Sequence, residues 1–291
     1  MARCLVTGHK GYIGSRMAER LKALGHEVKG IDLKDGNDIL DGLNQFEGFK
    51  PEYIFHMACI PRVGYSVEQP VATMKNNVIA TSIVLDFARK MNVKRVIYSG
   101  SSSVVGNGDG PTSPYGLQKL VSELESKLYA SLYGLDTVTL RYFNVYSPCQ
   151  KADGPYATAV SNFMQFIRDG KSPFITGDGE QTRDMAHLED VVSANIAAME
   201  RAEPFNGATY DIGTGNNISL NRIKNIVQES FPEVQFIYCS PRSGDVLSTK
   251  ANIAPFKEQT SWRPANEIEA GVRECFTKLK IKLARGKNEK Y

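Results

Sequence analysis

Short runs of apolar and β-branched residues alternate, along the first half of this chain, with longer stretches in which apolar residues recur three or four positions apart. RCLVTG, EVKGID, YIFHMA, KRVIYS and DTVTLRYF are the runs, and each reads as one strand. From Tyr12 to Leu24 the residues Ile13, Met17, Leu21 and Leu24 share a face, and Gly25 stops the helix. Val71 to Met91 and Tyr115 to Tyr133 are predicted as crossover helices. Strand alternating with helix predicts an α/β fold built on a doubly wound parallel sheet. After about Pro148 the alternation loosens, and PFIT and ATYDIG are shorter strands among Gly- and Pro-containing loops. The expected division is therefore residues 1–148 for the sheet domain and 149–291 for a smaller substrate-binding lobe interwoven with it. Substrate belongs in the crevice at the carboxyl ends of the strands.

Composition narrows the class. A chain of 291 residues, 42% hydrophobic and 23% charged, can bury a large core. No apolar run approaches the roughly 18 residues of a membrane span, and MARCLVTG enters a strand without the regions of a signal peptide, so the cytoplasm and no membrane are expected. The five cysteines are odd in number and widely spaced, with no CxxC pair, so neither a disulfide framework nor a metal site is expected. A net charge of +3 with scattered Lys and Arg gives no nucleic-acid surface, and the basic tail KIKLARGKNEKY reads as a solvated helix end.

Two motifs carry chemistry. TGHKGYIG places Gly8, Gly11 and Gly14 between the first strand and the first helix, where small residues let the backbone approach a pyrophosphate at the helix N-terminus. Asp32 closes the second strand 18 residues beyond Gly14, the separation of a ribose-binding acid. Its carboxylate would repel a 2′-phosphate, so NAD is expected over NADP, with Lys34 close by. Asp38 and Ile39 are candidates to take the adenine amino group and cover the ring, and HMAC, with Met57, Ala58 and Cys59, ends a strand beneath the cofactor. His56 reads as a packed strand-end histidine. The second motif is Tyr115 and Lys119, four apart on one helix face. A nearby cation favours a phenolate, which makes a base near neutral pH. Alone, such a pair is common; after a nucleotide-binding half, with Ser101 ending the preceding strand, it points to catalysis.

With these segments the chain resembles the extended short-chain dehydrogenase/reductase family, the sugar-nucleotide epimerases and dehydratases. TGHKGYIG, HMAC, SVEQP, NNV, SGSSSVVG, SPYGLQK, LRYFNVYSP, GDGEQTRDMAHLEDV, DIGTG, PRSGDV and SWRP occur in that family's order. The resemblance implies a Rossmann-type sheet with a small C-terminal lobe and a catalytic triad of Ser101, Tyr115 and Lys119, Lys119 also holding the nicotinamide ribose. Further cofactor contacts are expected from Tyr12, Ile13, Leu33, Asn77 and Tyr142. It also implies a nucleoside-diphosphate sugar, with Asn144 at its phosphates or sugar and Arg183 and Arg242 as diphosphate clamps. Asp245 is placed beside Arg242 or a ribose, and Tyr156 and Thr176 line the nucleotide pocket. Members commonly form homodimers through two helices, here 71–91 and 115–133.

The branch of the family turns on two residues. Dehydratases carry an Asp-Glu pair just after the catalytic hydroxyl and decarboxylases a Glu; this chain has Ser102 and Ser103. A serine is no acid at neutral pH, so elimination lacks its catalysts. The expected activity is thus an NAD-dependent 4-epimerase of a UDP-hexose or UDP-N-acetylhexosamine. The competing readings are a sugar-nucleotide oxidoreductase or dehydratase, and a dinucleotide sensor without catalysis, against which the intact Tyr115 and Lys119 speak. Departures from the family lie near the site: a short segment from Gly106 to Tyr115, a compact 41–51, Val105 for a tyrosine and Cys59 for an alanine. Arg62, in the loop after HMAC, is a candidate partner for an acidic sugar.

Overall fold

The computed structural model describes residues 1–106, 108–150, 158–241 and 246–288. They form two compact units, Met1–Tyr142 with Val192–Ile212 and Ala254–Trp262, and Phe143–Val191 with Gly213–Ile253 and Arg263 onward. In chain order the first stretch runs β1 (Arg3–Thr7), α1 (Tyr12–Ala23), β2 (Glu27–Ile31), β3 (Tyr53–His56), α2 (Val63–Glu68), α3 (Pro70–Met74), a π turn (Lys75–Ile79), α4 (Ala80–Lys90), β4 (Arg95–Ser101), α5 (Pro114–Tyr133) and β5 (Thr137–Tyr142). Then follow α6 (Ala159–Arg168), β6 (Phe174–Thr176), β7 (Thr182–Arg183), α7 (Leu188–Glu200), β8 (Ala208–Ile212), β9 (Ile218–Ser219), α8 (Leu220–Ser230), β10 (Ile237–Cys239), α9 (Ala254–Thr260) and α10 (Ile268–Asn288).

In the first unit six parallel strands lie in the order β2-β1-β3-β4-β5-β8. The order reverses between β1 and β3, so the chain leaves their carboxyl ends in opposite directions and opens a crevice there. Inner strands are covered on both faces, which is why RCLVT and RVIYSGS are almost wholly buried runs, whereas EVKGI on the edge alternates. Local signals set the helix ends. Gly25, at φ +81, stops α1, and α5 starts with Ser113 accepting Gly116 N and Pro114 in the first turn. The stretch expected as one helix over 71–91 is helical but widens to the π turn at Lys75–Ile79. Within it Asn77 O accepts from the Thr81 hydroxyl one turn on at 2.7 Å and, from α5, the Ser122 hydroxyl at 3.0 Å.

Each unit has its own apolar core. The first is filled by Leu5, Ile31, Ile54, Val84, Leu85 and Val96 among others. The second packs α6, α8 and α10 through Phe163, Ile167, Ile223, Val227, Val272 and Phe276, with the strand pairs β6–β10 and β7–β9 beside them. Full burial of such a side chain contributes about 1.5–3 kcal/mol, offset by chain ordering, so these cores set where the elements lie.

A buried guanidinium closes the amino end of the sheet. Arg95, 4% exposed, holds Asp136 at 2.5 Å and donates to the carbonyls of Ala198, Arg201 and Glu203 at the end of α7. Every arm is satisfied, and removing one partner leaves the others buried and unpaired. Arg95→Leu is therefore expected to lower unfolding stability by about 3 kcal/mol, read from the urea midpoint, and a loss under about 1 kcal/mol would contradict the clamp.

Candidate active site

The glycine turn follows from close packing. Gly8 has φ +70 and lies against β3's following loop, where a Cβ would come within 2.8 Å of Ala58 N, while a Cβ on Gly14 would strike the Gly8 carbonyl. Gly11 N bonds Gly8 O at 2.9 Å, and Gly8 N bonds Ile31 O at 2.8 Å. Helix α1 has no side-chain cap and no acid in its first turn, so its positive end is left to an anion. At the end of β2, Asp32 accepts Lys10 N at 2.9 Å and Lys34 N at 3.0 Å, one on each oxygen. Those bonds fix the carboxylate beside the turn. Asp38 caps its own turn through Leu40 N, Ile39 is taken up by the core, and Leu33 is exposed. Tyr12, Ile13, Met57, Ala58 and Cys59 are half-buried around the turn.

Beneath this turn lies a closed hydrogen-bond chain. Thr7 Oγ1 accepts Met57 N and Ala58 N, both at 3.1 Å, and meets His56 Nδ1 at 2.8 Å; His56 Nε2 meets Thr81 Oγ1 at 2.9 Å. Thr81 donates its proton to Asn77 O, so it accepts from Nε2–H, and Nδ1 accepts from Thr7. His56 is thus neutral. Burial, then the Lys119 charge, pushes its pKa down to about 3.

Ser101 ends β4, and Tyr115 and Lys119 lie one turn apart at the start of α5; the structure brings all three together. The Lys119 charge and, less strongly, the Ser101 hydroxyl both favour the Tyr115 phenolate. Lys119, 3% exposed, donates to Ser99 O at 2.7 Å and sits 4.9 Å from the centre of the Tyr98 ring. Burial disfavours its charge, but the negative charge that Cys59, Tyr98 and Tyr115 take on when they lose their protons holds its pKa above the ordinary lysine value. The motif by itself points to a phenol made acidic by its lysine; here burial outweighs the ammonium and pushes Tyr115 up to about 12. Ser103 donates to Ser101 Oγ at 2.9 Å, and Ser102 shares the same turn. Tyr142 faces inward to Ser99 and Asn195, and Asn77 spends its amide on Ile60 and Gln118.

Among second-unit candidates, Asn144 adopts φ +34 and donates to Asp184 O at 2.7 Å. Thr176 ends β6, with Gln181 Nε2 on its carbonyl at 2.6 Å, and Arg183 stands half-buried on β7. Tyr156, Arg242 and Asp245 lie outside the described residues.

Two residues of the site escape sequence reasoning. Ser66, fully buried, accepts Tyr115 N at 3.0 Å from 49 positions away. Asp184, fully buried, gathers Thr214 N, Gly215 N and Ala251 N at 2.9–3.0 Å and so ties three second-unit segments together. Both are short polar residues whose partners are distant in the chain, and their only local signal is position inside SVEQP and TRD.

A family model, the NAD dependent epimerase/dehydratase family, matches residues 4–213. The chain belongs to that family. It is 32% identical to a putative UDP-glucose 4-epimerase of Methanocaldococcus jannaschii, over 95% of this chain and 98% of that protein. A UDP-glucose 4-epimerase of Thermotoga maritima, solved with UDP-glucose, superposes with TM-score 0.88 at 30% identity, covering 97% of this chain and 99% of that one. A UDP-glucuronic acid 4-epimerase of Bacillus cereus, solved with UDP-glucuronic acid and NAD, gives 0.86 at 26% identity, covering 96% and 99%. The family's cofactor fits the residues present: the glycine cradle admits no Cβ at Gly8 or Gly14, and Asp32 is fixed beside it.

The neutral His56 makes a pH prediction. In the unfolded chain it protonates near about pH 6.5, in the folded one near about pH 3, so the unfolded state gains protons first and stability falls as pH drops between those values. The loss is about 1.4 kcal/mol per pH unit within that window. In thermal melts from pH 7 to pH 5, His56→Gln should lose less melting temperature than the parent; parallel losses would refute the assignment.

Proposed function

We propose that this chain is an NAD-dependent 4-epimerase of a UDP-linked hexose or N-acetylhexosamine, with Ser101, Tyr115 and Lys119 as its catalytic residues. The observation that carries the reading is a hydroxyl-only neighbourhood: beside the Ser101–Tyr115–Lys119 cluster stand Ser102 and Ser103, with no carboxyl group at either position to drive elimination. Relatives and solved neighbours described as UDP-sugar 4-epimerases support it. NAD held at the Gly8–Gly14 turn beside Asp32 would supply hydride acceptance and return and, in its oxidised form, a positive charge.

The chain's own residues manage the proton and the pose. Tyr115 takes the proton of the sugar 4-hydroxyl and gives it back, Ser101 donates to the same oxygen, and Lys119 stabilises the phenolate while it exists. Tyr115 rests protonated although Lys119 and the Ser101 hydroxyl already lower its pKa, so what lowers it further must come with the filled site, where an oxidised nicotinamide would add positive charge. In this reading Arg183 is a diphosphate clamp, and Asn144 and Thr176 contact the nucleotide or sugar.

Two finer statements belong to the same reading. The chain acts in the cytoplasm; its five cysteines carry free thiols, as a reducing compartment requires, and no described helix is long and apolar enough to cross a membrane. It pairs as a homodimer through α5, where Leu117, Val121, Leu124, Leu128 and Leu132 form one exposed seam beside Val71 and Ile79.

Proton NMR of UDP-glucose, UDP-N-acetylglucosamine and UDP-glucuronate with the protein in D2O should show inversion at C4 without deuterium at C5. Exchange at C5 with loss of water would overturn the reading. Tyr115→Phe should lose about 100-fold or more in turnover and still bind NAD, and undiminished turnover would remove Tyr115 as the base. By light scattering the parent should run as a dimer and Leu128→Glu as a monomer, whereas a monomeric parent would dismiss the pairing.

A further inference from the structure

Helix α5 presents an unusual inward face. Tyr115, Gln118, Lys119, Ser122 and Ser126 are all buried, so the stripe that packs inward is polar. Gln118 lies between the two residues assigned to catalysis and is 1% exposed. Its amide is fully used. Oε1 accepts Asn77 Nδ2 at 2.8 Å, and Nε2 donates to Thr73 Oγ1 at 2.9 Å and to Pro70 O at 3.3 Å. Asn77, 2% exposed on the π turn, continues the line: its Oδ1 accepts Ile60 N at 2.8 Å, and its Nδ2 also reaches Ile60 O at 3.3 Å. Ile60 follows Cys59 in the loop whose Met57 and Ala58 amides are held by Thr7. One line of bonds therefore runs from the catalytic helix, through Gln118 and Asn77, to the loop beside the glycine turn.

We infer that Gln118 is a positioning residue: it sets the register of α5, and so of Tyr115 and Lys119, against the 57–60 loop that the cofactor reading places beneath NAD. The physical case is one of satisfaction. A buried amide left unpaired is costly, and a slip of α5 along the 70–79 segment breaks several of these bonds at once. An apolar residue at 118 would pack and permit such sliding. Below Lys119 the stripe adds one single bond to the same segment, from the Ser122 hydroxyl to Asn77 O at 3.0 Å, while Ser126 donates to Ser122 O on its own helix. Asn77, with both amide protons and its oxygen engaged inside the protein, acts through the Ile60 backbone. A misplacement of about 1 Å between reacting groups costs up to about 100-fold in rate, so a loosened register is felt in turnover before it is felt in substrate affinity.

The inference rests on the assignment of Tyr115 and Lys119 above, and its test separates the two. In Gln118→Met, kcat should fall about ten- to 100-fold with the sugar-nucleotide KM within about twofold, and NAD affinity of the cofactor-stripped protein, titrated by calorimetry, should weaken at least about threefold. Ser126→Ala, which removes a buried hydroxyl from the same face, should match the parent in all three. Asn77→Ala combined with Gln118→Met should be no worse than the more damaged single variant, because both break one line; multiplying effects would mean that the two act separately. Folded Gln118→Met with parental kcat and NAD affinity overturns the inference, whatever Tyr115→Phe does. If the methionine variant does not fold, Gln118→Asn, an amide too short to reach Asn77, carries the same test, and parental values there overturn it equally.

Discussion

The ammonium of Lys119 sits where charge is costly, and much of the first unit is arranged so that it can stay there. Burying an isolated ion costs several kcal/mol unless partners replace its water. The replacements come from the end of β4, whose Ser99 carbonyl and Tyr98 ring face the helix at the point where Lys119 arrives. That fixes the start of α5 relative to the sheet. Ser113, Pro114 and the Ser66 hydroxyl then set where the helix begins, and Tyr115 falls beside Ser101 as a result.

The same charge shapes its surroundings. It helps to keep His56 neutral, and a neutral His56 of one tautomer can bridge Thr7 and Thr81. Thr7 in turn holds the Met57 and Ala58 amides against Gly8. The glycine turn and the Tyr115–Lys119 pair thus share one buried polar framework beneath them. Apolar packing would give equal stability with less specified register, because it is indifferent to small slides.

Chemistry in this family is decided by what stands beside a common oxidising centre. A Tyr–Lys pair with a serine at the strand end serves any reaction that starts by taking a hydroxyl proton. What happens next depends on the acids and bases within reach, and this chain offers serine at the two positions after Ser101. Hydroxyl groups hold a pose and donate hydrogen bonds without expelling substituents. Ser103, donating to Ser101, fits that part.

Much of the fold was legible in the chain itself. The strands β1 to β5, helix α1 and helix α5 follow from hydrophobic period and from Gly25, Ser113 and Pro114, signals that act within a few residues. The glycine turn, Asp32 and the Tyr115–Lys119 spacing are equally local, because a phosphate cradle and a one-turn pair need neighbours in sequence. The π turn at Lys75–Ile79, the burial of Ile39 in the core and the carriage of β8 back onto the main sheet were decided only by packing. So were the rise of the Tyr115 pKa and the partners of Gln118, Ser66 and Asp184. Desolvation depends on everything packed around a group, and a buried hydrogen bond joins residues that the chain keeps dozens of positions apart; in α5 the apolar period even marks the exposed stripe while a polar one turns inward, and sequence leaves unsaid what either face will meet.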